Sequence, residues 1–351
     1  MTAAGALLLE TAERAFAKTC THDAVQHAER DGWAPRIWDT AAGIGLPWVG
    51  VPEAAGGAGG SLGDALGVLG VAGHHAAPIP LAETGLLAGW LLSSAGLPVG
   101  EGPMSVVPGL PADDLRWRHG AVYGTAHRVP WARAVEQVVA LVGGAVVALS
   151  PARARIEPVT NLAGEPRDTL VLDGVVPDAV ADAPEGIDAD ALHLRGALTR
   201  VALMAGALLA MSELTAAYTS ERRQFGQPIG RFQAVQALVV RCAEEAMLVD
   251  LAAQVAAREA ERGDGRFEIA AAKLLADDAA RVATRAAHQA HGAIGMTQEY
   301  SLHQLSRRLW SWRAEYGDRT WPDRIGRAVL AHGRDDLYRV IAEGSASGIR
   351  V

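Results

Sequence analysis

The chain has 351 residues, half of them hydrophobic, and a formal net charge of −8. That length supplies ample apolar surface for a buried core and points to two or three domains. The acidic balance argues against nucleic-acid and anionic membrane-surface binding, and the Ala- and Leu-rich composition favours helices over sheets.

At the start, Leu7-Leu8-Leu9 is followed at once by Glu10 with no basic stretch before it, so no secretory leader is expected. Helix-like apolar spacing covers 5–18, 33–44, 62–75 and 82–95. Gly56-Gly57-Ala58-Gly59-Gly60 precedes the third of these, and Ser61 with Asp64 three residues on resembles a capping box. A glycine-rich loop before a helix can cradle phosphate. Here the spacing matches neither phosphate-loop fingerprint, so a tight turn is the expectation.

From about 106 to 180 the pattern changes to short valine-rich runs at Ala121–Tyr123, Val135–Val142, Ala145–Leu149, Ala154–Val159 and Thr169–Leu172. Gly143-Gly144 between two of them predicts a hairpin. The region reads as a small all-β insert of five or six strands.

From about 188 onward the spacing is helical again. Val201–Ser220 is one predicted helix. Its apolar run Val201–Met211 falls short of the roughly 18 uncharged residues that span a bilayer, so a buried core helix is expected. Gln233–Arg262 is the next, with Val235, Leu238, Cys242, Ala246, Val249, Ala253 and Ala256 on one face. Gly263-Asp264-Gly265 ends it. Phe267–Ala290 follows with a stripe of Ile269, Ala272, Leu275, Ala279, Val282 and Ala286, and helices at 301–315 and 322–343 close a four-helix-bundle-like domain. Cys20 and Cys242 have neither a CxxC partner nor metal-ligand spacing, which predicts reduced core residues in a cytoplasmic protein.

Two segments stand out chemically. Tyr218–Gln236 gathers Arg222, Arg223 and Arg231 around a Phe225-Gly226 turn and Pro228. Arginine forks suit a pyrophosphate; a solvated, salt-bridged helix end is the other reading. The second, His288–Tyr300, ends a long helix in Gly292 and Gly295, glycines that permit close backbone approach, with the amide of Gln289 nearby. His288 and His291 lack a third ligand at fixed spacing, so they read as helix-end histidines and no metal is expected. No nucleophile elbow, P-loop or dinucleotide fingerprint is present.

Together, Tyr218–Gln236 and Gln289–Tyr300, in the last helical domain of an α–β–α chain, resemble the acyl-CoA dehydrogenase family. Val51-Pro-Glu-Ala-Ala-Gly-Gly-Ala-Gly-Gly-Ser-Leu62 resembles that family's N-terminal connecting loop, and Arg307-Arg308 stands where the family has an Arg-Asp step. The resemblance spans nearly the whole chain and is poorest in the β region. It implies an α+β acyl-CoA dehydrogenase-like fold: an N-terminal helical domain at 1–105, a shortened middle β domain at 106–187 and a C-terminal helical bundle at 188–351. It implies FAD held between β domain and bundle, with a neighbouring subunit completing the site. Carried over by position, Arg222 would contact the pyrophosphate of the adjacent subunit's FAD, Phe225 would pack on that cofactor and Gln233 would hydrogen-bond nearby. Gln289, Gly292 and Gly295 would line its adenosine diphosphate part, with Ala293 replacing a second glycine.

The activity implied is α,β-desaturation of an acyl-CoA thioester, with electrons passed to an electron-transfer flavoprotein. Two departures qualify this. The family's Thr-Glu-Pro and Trp-Ile-Thr/Ser elements are missing from the β domain, where His127–Ala132 stands; Trp131 reads either as a flavin-stacking ring or as core packing. Tyr316, before Gly317, occupies the family's usual base position, and the alternative position falls near Gly196. Glu315, one residue off and turned by about 100° on a helix, is then the candidate catalytic base. What is kept serves a neighbour's FAD, and what is lost serves the chain's own flavin ring. That pattern matches the degenerate subunit of a heteromeric enzyme of the kind acting on steroid or bulky acyl chains, with a homo-oligomer as the alternative. A diverged flavin oxidase or monooxygenase, and a non-catalytic helical interaction subunit, stay open.

Overall fold

The computed structural model describes residues 2–263, 265–317 and 321–332. The described residues fold as two compact units, one drawn from 1–72 and 76–199, the other from 73–75 and from 200 onward.

The first unit begins with α1 (Ala3–Thr19), α2 (His22–Asp31) and α3 (Pro35–Gly43), followed by α4 (Leu62–His74), a π-helical segment at Ala82–Gly89 and the short α5 (Trp90–Ser94). Helix α2 has no counterpart among the expected helices. It buries only Val25 and Ala28, too few for an apolar stripe, and is fixed by its ends: Thr21 accepts from the Ala24 amide, and Gly32 closes it at φ 73°. The capping box at α4 is real. Ser61 N donates to Asp64 Oδ2 and Asp64 N to Ser61 Oγ, both at 3.0 Å.

The glycine-rich loop before α4 is the expected tight turn. Gly50, Gly57, Ala58 and Gly59 donate their amides to Gly59, Pro52, Trp48 and Val51 carbonyls. A Cβ on Gly57 would lie 2.2 Å from the Val51 oxygen. These amides are committed within the loop and do not cradle a ligand.

Eight strands follow in this unit, more than the five or six expected: β1 (Met104–Val106), β2 (Arg116–Arg118), β3 (Ala121–Pro130), β4 (Gln137–Val142), β5 (Ala145–Leu149), β6 (Arg155–Glu157), β7 (Arg167–Val175) and β8 (Ala179–Asp182). The extra strands are three or four residues long, below the length at which alternation is legible. They form two four-stranded sheets, ordered β1-β4-β5-β8 and β2-β3-β7-β6, antiparallel except for β1 beside β4. The two sheets share one core of Val122, Ala126, Val129, Val138, Ala140, Val147, Leu149, Leu170 and Leu172. Gly143 and Gly144, both at positive φ, turn β4 into β5 as predicted.

Trp131 is 2% exposed within this core and sits edge-on to Trp33 at 6.4 Å. It is therefore a packing residue and offers no free face for stacking.

Helix α6 (Ala189–Glu221) runs for 33 residues. By length and composition it could cross a membrane, yet 61% of its apolar window is buried inside the protein. In the second unit α7 (Gln233–Arg262) and α8 (Arg266–His291) form an antiparallel pair joined at Gly265. Cys242, Ala246, Val249 and Ala256 of α7 are buried, as are Ala272, Ala276, Ala279, Ala283, Ala286 and Ala290 of α8. Leu275, expected on the buried stripe, is 39% exposed. The 3.6-residue period selects Ala276 instead, and alanine lets the two backbones approach closely. Helices α9 (Leu302–Ala314) and α10 (Trp321–His332) follow; the part of the helix expected over 322–343 that follows His332 lies outside the described residues.

Candidate functional site

Immediately after α6 the chain turns back through a two-residue hairpin, β9 (Arg223–Gln224) paired antiparallel with β10 (Gln227–Pro228). Ile229 N donates to the Arg222 carbonyl at 2.8 Å, locking its base. The turn is Phe225-Gly226, with φ 51° and 82°. Positive φ at both central residues suits strand twist, but the first position favours Asn or Gly, and an L side chain there costs about 1–2 kcal/mol. Phe225 accepts that conformation while being 90% exposed, touching Phe232 edge-on at 5.9 Å. Arg223 is tied to the turn through Nη2 to the Gly226 carbonyl at 3.0 Å. Arg222 and Arg231 are exposed and enter no ion pair among the described residues. Gln233 begins α7 on the exposed side.

The second segment caps α8. Gln289 is exposed, and Gly292 follows at φ 66°, ψ −142°, a conformation that favours glycine. Nothing lies within 4 Å of where its Cβ would be. Gly295 has a different reason to be glycine: it is buried, and a Cβ would meet His291 Cβ at 2.9 Å. Ligand approach therefore suits Gly292 and internal packing suits Gly295.

Three rings join the two segments. Tyr218, near the end of α6, stacks on His291 at 4.5 Å, and Tyr300 sits against both at 5.7 and 5.1 Å. His291 Nδ1 lies 2.8 Å from the Ala287 carbonyl. A carbonyl only accepts, so the proton sits on Nδ1 and Nε2 is a buried acceptor without a hydrogen-bond partner among the described residues. Burial holds His291 below its ordinary range, and burial with the neighbouring His291 and His303 does the same to His288. Burial, together with Tyr218 and Glu221, pushes the Tyr300 phenol up.

Glu315 has another setting. It lies one residue past the end of α9 with extended backbone, so the helical offset expected from sequence does not apply. Its Oε2 accepts from Arg200 Nε at 2.7 Å, and Arg200 is 1% exposed. Tyr316 is buried at φ 48° with the Arg200 guanidinium 5.3 Å over its ring. Nearby, wholly buried Lys273 donates to Asp277 Oδ1 at 2.6 Å and to the Arg313 carbonyl at 3.0 Å. Desolvation pushes Lys273 down and Asp277 up, and their mutual attraction opposes both. Arg200 and Lys273 belong to no motif, although each is a charge set in an otherwise apolar helical stretch, and that was the one signal by which the sequence could have marked them.

The model of the family "Acyl-CoA dehydrogenase, C-terminal domain" matches residues 193–318. Probable acyl-CoA dehydrogenase YngJ of Bacillus subtilis is 38% identical over 116 residues, 32% of this chain and 30% of that protein. Acyl-CoA dehydrogenase FadE34 of Mycobacterium tuberculosis is 30% identical over 307 residues, 81% of this chain. The match spans only 40% of FadE34's length. Acyl-CoA dehydrogenase FadE28 of the same organism is 30% identical over 294 residues, covering 76% of this chain and 84% of that protein. Among solved structures, a chain of the ChsE4-ChsE5 complex from M. tuberculosis superposes with a TM-score of 0.84 at 23% identity, covering 94% of this chain and 98% of that one.

Proposed function

The chain belongs to the acyl-CoA dehydrogenase family and has its fold, and on that premise we propose that it is a subunit of a FAD-dependent acyl-CoA dehydrogenase that completes a partner subunit's flavin site. The observation that carries the proposal is Phe225, a 90% exposed ring at a left-handed turn next to Arg222. Within the described chain its edge-on contact with Phe232 still leaves the ring open to solvent. A cofactor laid over Phe225 and Arg222 would bury the ring and engage the guanidinium.

The residues present fit the adenosine diphosphate part of FAD. Arg222 offers a fork of N–H donors to a pyrophosphate, the exposed amide of Gln289 can donate and accept, and the open space at Gly292 admits a ligand close to the backbone. Gln233 stands at the start of α7 as a further amide. Gly295 supports the turn from inside. When bound, the flavin would supply the acceptor for the hydride leaving the β-carbon of an acyl-CoA thioester. This chain's part is to bind and orient the nucleotide end.

An acyl-CoA is the proposed substrate and an electron-transfer flavoprotein the proposed electron acceptor, in a cytoplasmic heteromer with a second acyl-CoA dehydrogenase subunit. The likeness to a chain of the ChsE4-ChsE5 complex supports a heteromeric assembly. The division at 1–105, 106–187 and 188–351 goes with this reading.

The test is FAD retention after gel filtration of the complex carrying Arg222→Ala. Losing a charge-assisted contact of about 1.5–3 kcal/mol should weaken retention roughly tenfold or more. Full flavin occupancy in that variant would remove the pyrophosphate role.

A further inference from the structure

We infer that Glu315 is the counter-ion of a clasp on buried Arg200 rather than this chain's proton acceptor. This rests on the acyl-CoA dehydrogenase reading above. In desaturation the α-C–H bond breaks with its proton passing to a carboxylate. The β-C–H bond breaks with its hydride passing to the flavin oxidant, and the carbon–carbon double bond forms between them.

A general base has to reach the proton it abstracts. Glu315, itself half-buried, has Oε2 held 2.7 Å from Nε of an arginine that is 1% exposed. Lys273, fully buried, is a second cation whose charge is felt by the same carboxylate. Turning Glu315 toward a substrate would take from Arg200 a counter-ion it holds in the interior, which is strongly unfavourable.

The surrounding backbone is built to keep it there. Lys273 donates to the Arg313 carbonyl, fastening the last turn of α9 to α8, while Arg200 fastens the next residues to α6. Tyr316, in the position where the family resemblance expects the base, is buried at φ 48° beneath the Arg200 guanidinium. The corner is thus closed by two ion pairs and an aromatic ring. Arg200 and Glu315 act as positioning residues that fix the end of α9.

A double-mutant cycle on the flavin-loaded complex tests this, with Arg200→Gln and Glu315→Gln made singly and together. Each single change removes the ion pair from the charge that remains and should lower the melting temperature by at least about 5 °C. The double variant should lose clearly less than the sum. If Glu315→Gln alone fails to fold, the double variant, which orphans neither charge, is expected to fold. The clasp is overturned if the losses simply add. It is also overturned if Glu315→Gln melts within about a degree of the wild type while exchange of the substrate α-proton with D2O is abolished. Flavin content of the same samples separates the two levels. A wild-type complex without flavin defeats the proposed function, whereas a loaded complex with additive losses defeats only the clasp.

Discussion

The phenol of Tyr218 lies nearly flat on the imidazole of His291, ring centroids 4.5 Å apart and planes 18° apart. Tyr218 belongs to the helix that leads into the arginine hairpin, and His291 to the last turn of α8 before Gly292. This stack, closed by Tyr300, joins two segments separated by some seventy residues of sequence. An aromatic pair of this kind contributes about 0.5–1.5 kcal/mol beyond its buried area.

Acid should loosen this junction. Burial holds the folded-state values of His288 and His291 below the ordinary one of 6.5. As pH falls below about 6.5, the unfolded chain binds protons that the folded chain resists, so stability drops from there toward the lower folded values. Melting temperature measured from pH 7.5 to 5.5, on the order of two units about the histidine value, should fall with acid. The slope should flatten in a His288→Gln/His291→Gln double variant, and an unchanged slope would contradict the assignment.

Phe225 should be a residue whose replacement stabilises the isolated chain and weakens cofactor retention. Phe225→Asn creates Asn-Gly, the preferred pair for a turn with both φ values positive. It should raise stability by about 0.5–1 kcal/mol in chemical denaturation. The same variant should release FAD more readily from the complex. Lower stability together with unaltered retention would show that the ring serves the fold.

The loop before α4 should not tolerate a side chain at Gly57. A Cβ there would stand 2.2 Å from the Val51 carbonyl oxygen. Gly57→Ala should destabilise by about 1–3 kcal/mol through forced backbone movement, read as a lower denaturation midpoint. A neutral result would mean that the loop is slack and its amides are available to a ligand.

Breaking the second buried pair should be more damaging than any surface ion-pair change. Asp277→Asn leaves fully buried Lys273 facing a neutral amide, at an expected cost of about 3–5 kcal/mol. Arg281→Ala, which removes an exposed pair with Asp278, should change stability by less than about 1 kcal/mol. Equal effects would contradict the burial argument.

Much of the fold is legible in the sequence because long helices repeat their signal. Both ends of Gln233–Arg262 can be read, since an apolar position recurs every three or four residues over thirty and Gly263 stops it. Helix α2 is hidden because its identity lies in Thr21 and Gly32 rather than in a stripe. The short strands β1, β2 and β8 are hidden because three or four residues are too few to show a period. At the site, arginine and glycine spacing points to the hairpin and the α8 terminus. The partner of Glu315 does not show, because Arg200 is 115 residues away and only packing brings the two together.

A chain that completes a flavin site in a partner should hold no flavin by itself. The most direct test is the visible absorption spectrum of the chain purified alone and again after co-expression with a second acyl-CoA dehydrogenase subunit. An oxidised-flavin band is expected in the co-purified complex at near-stoichiometric FAD, and none in the solitary chain. A full flavin band in the solitary chain, or none in either sample, would contradict the proposed role.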